Sequence, residues 1–233
     1  MTTALLVDFY RHLPERGEGT DPAAWLAGLQ KAVVAFKKDV AWRYNEGTLQ
    51  RLLNGPDAEA RQAAVLALGL LGTMASNKPL ARRLHDRDER VRQLAANALW
   101  SLWFRADTPA HNQALQRLMR LRDRDKALAG LDALVQKAPG FAEAYNQRAI
   151  LAFRMKQFER SIADCEKALE LNPFHFGAQA GMGQCYLQLR KHKAALKAFR
   201  SALRIHPHLD GVAETVRALE TALGEEGRKD DKK

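Results

Sequence analysis

The chain has 233 residues, of which 46% are hydrophobic, with 37 Lys and Arg against 27 Asp and Glu. Ala, Leu, Arg, Gln and Glu are plentiful and no apolar run reaches the length of a bilayer span, which excludes β-rich and membrane-spanning classes and leaves an all-α protein. The net charge of +10 is spread along the chain with a tilt toward the C-terminus, so it does not mark one basic domain.

The first residues, Met1 to Leu13, lack a basic n-region, a long apolar segment and a small-residue cleavage site, so the expected location is the cytoplasm. Leu5, Leu6, Phe9 and Leu13 form a short amphipathic piece that ends at Pro14. Asp21-Pro22 starts a helix, because Asp caps free N–H groups and Pro fits the first turn. Trp25, Leu26, Leu29, Val33, Phe36 and Val40 then recur at helical spacing. Asn45 and Gly47 end that helix, and Thr48 is expected to cap a short one through Leu53 before Asn54-Gly55-Pro56 breaks it.

Two similar segments follow. Asp57–Gly72 and Asp88–Trp103 superimpose with Ala60 on Val91, Arg61 on Arg92, Ala64 on Ala95, Leu68 on Leu99 and Leu71 on Leu102. A short helix at Asn77–His85 and a turn at Asp86-Arg87-Asp88 lie between them. This pattern resembles HEAT repeats, in particular the short type of phycobilisome lyases, over roughly 48–104. The resemblance implies a ladder of hydrogen bonds from turn Asp to early-helix Arg, for which Asp57, Asp86 or Asp88, Arg61 and Arg92 are the candidates. It also raises bilin-lyase chemistry, for which no residue here supplies support.

Asp107-Thr108-Pro109 opens a second kind of repeat, in which each unit is a pair of antiparallel helices. The expected helices span 109–121 and 125–138, 142–154 and 158–171, and 176–189 and 192–205. Pro139, Pro173 and Pro207 stand at one fixed interval of 34 residues. Between them Ala149 matches Gly183, Phe158 matches His192, Ser161 matches Ala195 and Ala168 matches Ala202, with Leu115, Ala127 and Leu134 at the corresponding places of the first unit. These residues resemble the tetratricopeptide repeat over about 108–207, the first unit being degenerate because Leu115 and Leu134 replace small residues. The expected organisation is an N-terminal helical segment (1–47), HEAT-like repeats (48–107), tetratricopeptide-like repeats (108–207), a capping helix (208–223) built on Leu209, Val212, Val216, Leu219 and Leu223, and a disordered charged tail (224–233). Together they predict a right-handed α-solenoid of helical hairpins in one continuous array.

No catalytic constellation is present, so the expected protein is not an enzyme and needs no cofactor. The glycines of Gly177–Gly183 follow no strand, which removes a dinucleotide-loop reading and leaves close helix packing. His206-Pro207-His208 with His175 lacks a completing carboxylate or thiol for a metal site. Cys165 and Cys185 read as buried reduced thiols.

The repeat resemblance implies that first helices face a concave groove, which nominates Asn112, Gln113, Gln116, Arg120, Glu143, Asn146, Gln147, Ile150, Arg154, Gln184 and Gln188 for contact with a protein or peptide. Side-chain amides both donate and accept, as an extended peptide backbone requires. Some tetratricopeptide domains clamp a chaperone's C-terminal carboxylate with Lys, Asn and Arg. The matching positions here hold Asn112, Gln116, Gln147, Gly177 and Gly181, so that ligand is not expected. The alternative surface is the stripe Lys193, Lys197, Arg200 and Arg204 on one helix face, in a stretch without Asp or Glu from Glu170 to Asp210, which suits nucleic acid or an acidic partner. The expected oligomeric state is a monomer.

Overall fold

The computed structural model describes residues 5–17 and 19–230, the side chains of 225–230 excepted. The described residues are all-α, with thirteen α-helices and two short 3₁₀ turns. They divide into two compact units, one ending at Leu102 and the other beginning at Trp103. The division falls a few residues before Asp107, because Phe104 and Ala106 pack with Leu115, Leu131, Leu134 and Phe141 of the second unit.

In the first unit, α1 (Leu5–Arg11) buries Leu6 and Val7. Asp21 caps α2 (Pro22–Arg43) through Ala23 and Ala24 N–H groups. Of the stripe read from the sequence, Phe36 and Val40 are buried while Leu26 is exposed, because α2 meets its neighbours chiefly through its C-terminal half. The helix α3 (Glu46–Leu52) is capped by Asn45, not Thr48. The Asn45 side chain accepts from Thr48 N–H at 2.8 Å, so the residue expected as cap is the one being capped.

The helices α4 (Ala58–Leu71) and α6 (Glu89–Trp103) are the two superimposable segments, separated by α5 (Asn77–Arg82). They bury Ala63, Ala64, Ala67 and Leu68, and Val91, Ala95 and Leu99. Gly69 sets their approach: a Cβ there would stand 2.7 Å from Ala98 Cβ and 2.9 Å from Ala98 Cα, so only a hydrogen fits.

One rung of the expected ladder forms between side chains. Arg61 donates from Nε and Nη2 to both Asp86 carboxylate oxygens, at 3.0 and 2.8 Å, and from Nη1 to the Gly55 and Pro56 carbonyls at 3.0 Å. Arg83 adds a donor to Asp86 at 3.2 Å. Burial by itself would raise the Asp86 pKa, but Arg61 and the Asp88 N–H overcome it and hold the carboxyl below its ordinary value. The other candidates act differently. Asp57 caps α4 through Glu59 and Ala60 N–H groups. Asp88 accepts from Val91 N–H and from Gln62, and Arg92 donates to the Asp86 and Arg87 carbonyls. Turn carboxylates beside a helix start satisfy the free N–H groups first, which is why Asp86 alone takes the arginine.

The second unit consists of three helical hairpins and a closing helix: α7 (Pro109–Met119), α8 (Arg124–Lys137), α9 (Ala142–Arg154), α10 (Phe158–Leu171), α11 (Phe176–Gln188), α12 (His192–Ile205) and α13 (Val212–Asp230). The matching small residues Ala149, Ala168, Ala195 and Ala202 are buried where helices meet, as is Ala178. A Cβ on Gly183 would come within 2.7 Å of the Phe199 ring, so α12 lies against α11 with no room for a side chain there. The helices α7 and α8 approach each other less closely than α9 with α10 or α11 with α12, as Leu115 and Leu134 in place of small residues require. Arg148 of α9 donates to Asp164 of α10 at 2.6 and 2.9 Å and to Asp132 of α8 at 2.9 Å, joining the first hairpin to the second.

On α13, Val212, Val216 and Leu219 pack on Ala195 and Phe199 and close the last hairpin. This helix continues to Asp230, past the end expected at Leu223. No proline lies between Val212 and Asp230, and single glycines weaken a helix without stopping it. Of the tail expected to be disordered, residues 231–233 lie outside the described residues.

Candidate functional site

Between α9 and α11, above α10, lies a cavity of about 210 Å³. Its floor is Ala149, Ser161 and Cys165, its walls are Ile150, Phe153, Gly177 and Gly181, and Asn146, Arg154 and Gln184 bring polar groups to it. The space follows from the sequence: Gly177 and Gly181 leave the wall of α11 without side chains opposite Ile150 and Phe153. A Cβ on Gly181 would stand 3.6 Å from Cys165 Sγ and begin to fill it. Burial pushes the Cys165 thiol up to about 12, and burial also raises Cys185, whose Sγ donates to Ser161 Oγ at 3.1 Å. Both cysteines are free thiols and form apolar packing at neutral pH.

Beside the cavity is a polar network with no counterpart in the sequence reading. Glu143 is fully buried, and its Oε1 accepts from Asn146 Nδ2 at 3.1 Å and Gln147 Nε2 at 2.6 Å. Its Oε2 meets His175 Nε2 at 2.9 Å. His175 Nδ1 accepts from the Ala178 N–H at 3.1 Å, capping α11. A backbone N–H can only donate, so the imidazole proton sits on Nε2 and points at Glu143. Trp103 stacks on the His175 ring with centroids 4.2 Å apart and also touches Phe176, whose ring meets His206 edge-on at 5.0 Å. The histidine considered for a metal is thus a cap and a core residue, and among the described residues no group of His, Cys, Asp and Glu is arranged to hold a metal ion.

Of the nominated groove residues, Asn146, Ile150, Arg154 and Gln184 come together at the cavity. Gln147 is turned to Glu143. Asn112 instead locks the turn before α7, accepting from Asp107 N–H at 3.3 Å and donating to Asp107 O at 2.8 Å. Asn112 and Asn146, one repeat apart, both serve local structure, since an amide one turn into a helix reaches polar groups near that helix's own start. Gln113, Gln116, Arg120 and Gln188 are exposed and line no part of this cavity. What the sequence reading missed is Phe153, Gly177 and Gly181 as cavity walls and the Glu143–His175 pair. The signal for the walls was present in the glycines, but helix packing alone accounted for them.

The basic stripe on α12 is exposed but partly neutralised. Arg200 pairs with Glu220 of α13 at 2.7 Å, whereas Arg204 donates to the uncharged Ser201 Oγ at 2.6 Å, so Lys193, Lys197 and Arg204 remain without a carboxylate among the described residues. No helix among the described residues is long and apolar enough to cross a membrane.

Comparison with known families matches residues 45–134 to HEAT repeats and residues 142–175 and 177–208 to tetratricopeptide repeats. The loosely paired hairpin α7–α8, grouped above with the second kind of repeat, falls inside the HEAT match except for the last three residues of α8. A TPR repeat-containing protein of Rhizobium etli is 29% identical over 59% of this chain and 69% of its own length. Human superkiller complex protein 3 is 30% identical over 51% of this chain, a stretch that is only 8% of that protein. Among solved structures, the Sgt2 TPR domain from Aspergillus fumigatus is 19% identical with a TM-score of 0.48, covering 53% of this chain and 85% of that one. The first TPR of Spaghetti (RPAP3), bound to an HSP90 peptide, is 22% identical with a TM-score of 0.46, covering 49% and 91%.

Proposed function

From a chain that carries HEAT repeats followed by two tetratricopeptide repeats, we propose a non-catalytic interaction module that binds a segment of a partner protein in the cavity between α9 and α11. The observation that carries this reading is the composition of that cavity: an apolar floor and walls sized for one side chain, with Asn146, Arg154 and Gln184 beside it to meet backbone or carboxylate groups. The partner's apolar residue enters between Ile150, Phe153 and Cys165, and its main chain lies along the polar rim. The buried thiols fit action in the reducing cytoplasm. A nucleic-acid surface on α12 has less support, because Arg200 already pairs with Glu220.

Peptides selected from a random display library on the intact protein test this. Ile150→Glu puts a charge on the wall and Gly181→Leu fills the cavity, so each should weaken the selected peptides by about tenfold or more, a loss typical of a buried anchor. Arg154→Ala should weaken those with an acidic residue next to the anchor. Equal binding to all three variants, with their helical content intact, would overturn the reading.

A further inference from the structure

The three hairpins of the second unit each turn between their helices at one edge, and that edge carries cations in register. Arg122, Lys156 and Arg190 stand one repeat apart in the turns α7–α8, α9–α10 and α11–α12. Arg120 and Arg124 flank the first, and Lys191 and Lys193 follow the third, all of them exposed. Among the described residues none of these seven is ion-paired. Asp123, by contrast, caps α8 and faces Lys126 at 3.4 Å, while Asp125 and Glu159 are the other carboxylates beside the turns. At the third turn Arg190, Lys191 and Lys193 line an open cavity of about 510 Å³ with His192, Ala194 and Leu223.

The backbone supplies an independent observation. Lys156 and Arg190 have φ of 60° and 56°, and they are the two described residues other than glycine with positive φ. That conformation is unfavourable for an L side chain, and Gly or Asn adopts it more readily. Both turns therefore retain a long cation at a position where the turn itself favours a different residue. Strain kept in register, at two positions of the same charge, is a mark of use.

We propose that this edge docks an acidic segment of a partner protein, read by Arg122, Lys156 and Arg190. The surface stands on its own observations, apart from the α9–α11 cavity. A protein is favoured over nucleic acid by what accompanies the cations. Met119 and Leu121, 48% and 47% exposed, sit at the first turn and offer apolar contact, whereas no exposed aromatic ring among the described residues of this unit is available to stack a base. Helices α9 and α11 pack directly, which sets their turns roughly 8–10 Å apart. That is about three residues of extended chain, so the matching segment carries two acidic residues three positions apart for Lys156 and Arg190, a further acidic residue toward Arg122 and an apolar residue at the end near Leu121.

A labelled peptide of that pattern, titrated into the full chain by fluorescence anisotropy, tests the assignment. The triple variant Arg122→Asn, Lys156→Asn, Arg190→Asn keeps residues suited to the two left-handed turns, so its thermal midpoint should hold or rise. Its affinity for the peptide should fall at least tenfold, and the affinity of the unaltered chain should drop as salt is raised. Ile150→Glu should leave this binding unchanged. The proposal is overturned if the triple variant binds the peptide as well as the parent does. Tighter binding of single-stranded RNA than of the peptide, lost in the same variant, would also overturn it and make the edge a nucleic-acid surface.

Discussion

Replacing Arg61 with Ala should destabilise the first unit by about 3–5 kcal/mol, the cost of breaking a buried ion pair by removing one partner. The side chains of Arg61 and Asp86 are 4% and 3% exposed. The loss has two parts: Asp86 keeps its charge in a dry site with only Arg83 and the Asp88 N–H opposite it, and the Gly55 and Pro56 carbonyls lose their donor. Arg61→Lys should recover little, since an ammonium cannot reach both carboxylate oxygens and two carbonyls with one planar fork. The joint change Arg61→Met with Asp86→Leu should recover more than either single change. Urea denaturation followed by circular dichroism, fitted with one transition per unit, measures these differences; a loss under 1 kcal/mol for Arg61→Ala would sink the account. The pair also sets an acid limit. Because Asp86 titrates lower in the folded chain than in the unfolded one, its stabilisation is complete above the ordinary Asp value of about 3.9 and disappears as pH falls through the lower folded value.

Glu143→Ala should cost the second unit about 3 kcal/mol or more, because one truncation strands three donors. Asn146, Gln147 and His175 all donate to this carboxylate, and Glu143 and His175 are both fully buried. With its Nδ1 committed to the Ala178 N–H, the imidazole cannot redirect its proton without uncapping α11. Its stacking on Trp103 is expected to loosen in turn, so near-ultraviolet circular dichroism should change along with the denaturation midpoint. Glu143→Gln should be milder, since its carbonyl can still accept from the two amides while its NH₂ faces another donor. A Glu143→Ala protein with an unshifted midpoint and an unaltered near-ultraviolet spectrum would contradict the assigned roles.

Helix positions and the packing of the small residues were legible in the sequence because each repeat restates the same constraint. Ala149 and Gly183, or Ala168 and Ala202, have no second role that competes with close approach. Side-chain direction was less legible. Asn112 and Asn146 occupy equivalent places one repeat apart, yet one locks the Asp107 backbone and the other bonds Glu143. The partner each finds depends on loops that the repeat does not specify. The cavity was half legible: Asn146, Ile150, Arg154 and Gln184 follow from helix phase, but the space itself comes from Gly177 and Gly181, and an absent side chain leaves no periodic trace. His175 could not be placed from its neighbours in sequence, since Trp103 and Glu143 reach it from distant positions.

The looser approach of α7 to α8 has a thermodynamic consequence. With Leu115 and Leu134 wedged where the other hairpins bring backbone against backbone, the first hairpin is expected to open at lower cost than the two hairpins that follow it. Its exposed turn, Arg120 to Arg124, is then the natural point of tryptic nicking. A partner held at Arg122 would engage only the closed form of this hairpin, and so would suppress its opening in proportion to its own concentration. Occupancy at the edge and persistence of the hairpin are two readings of one equilibrium.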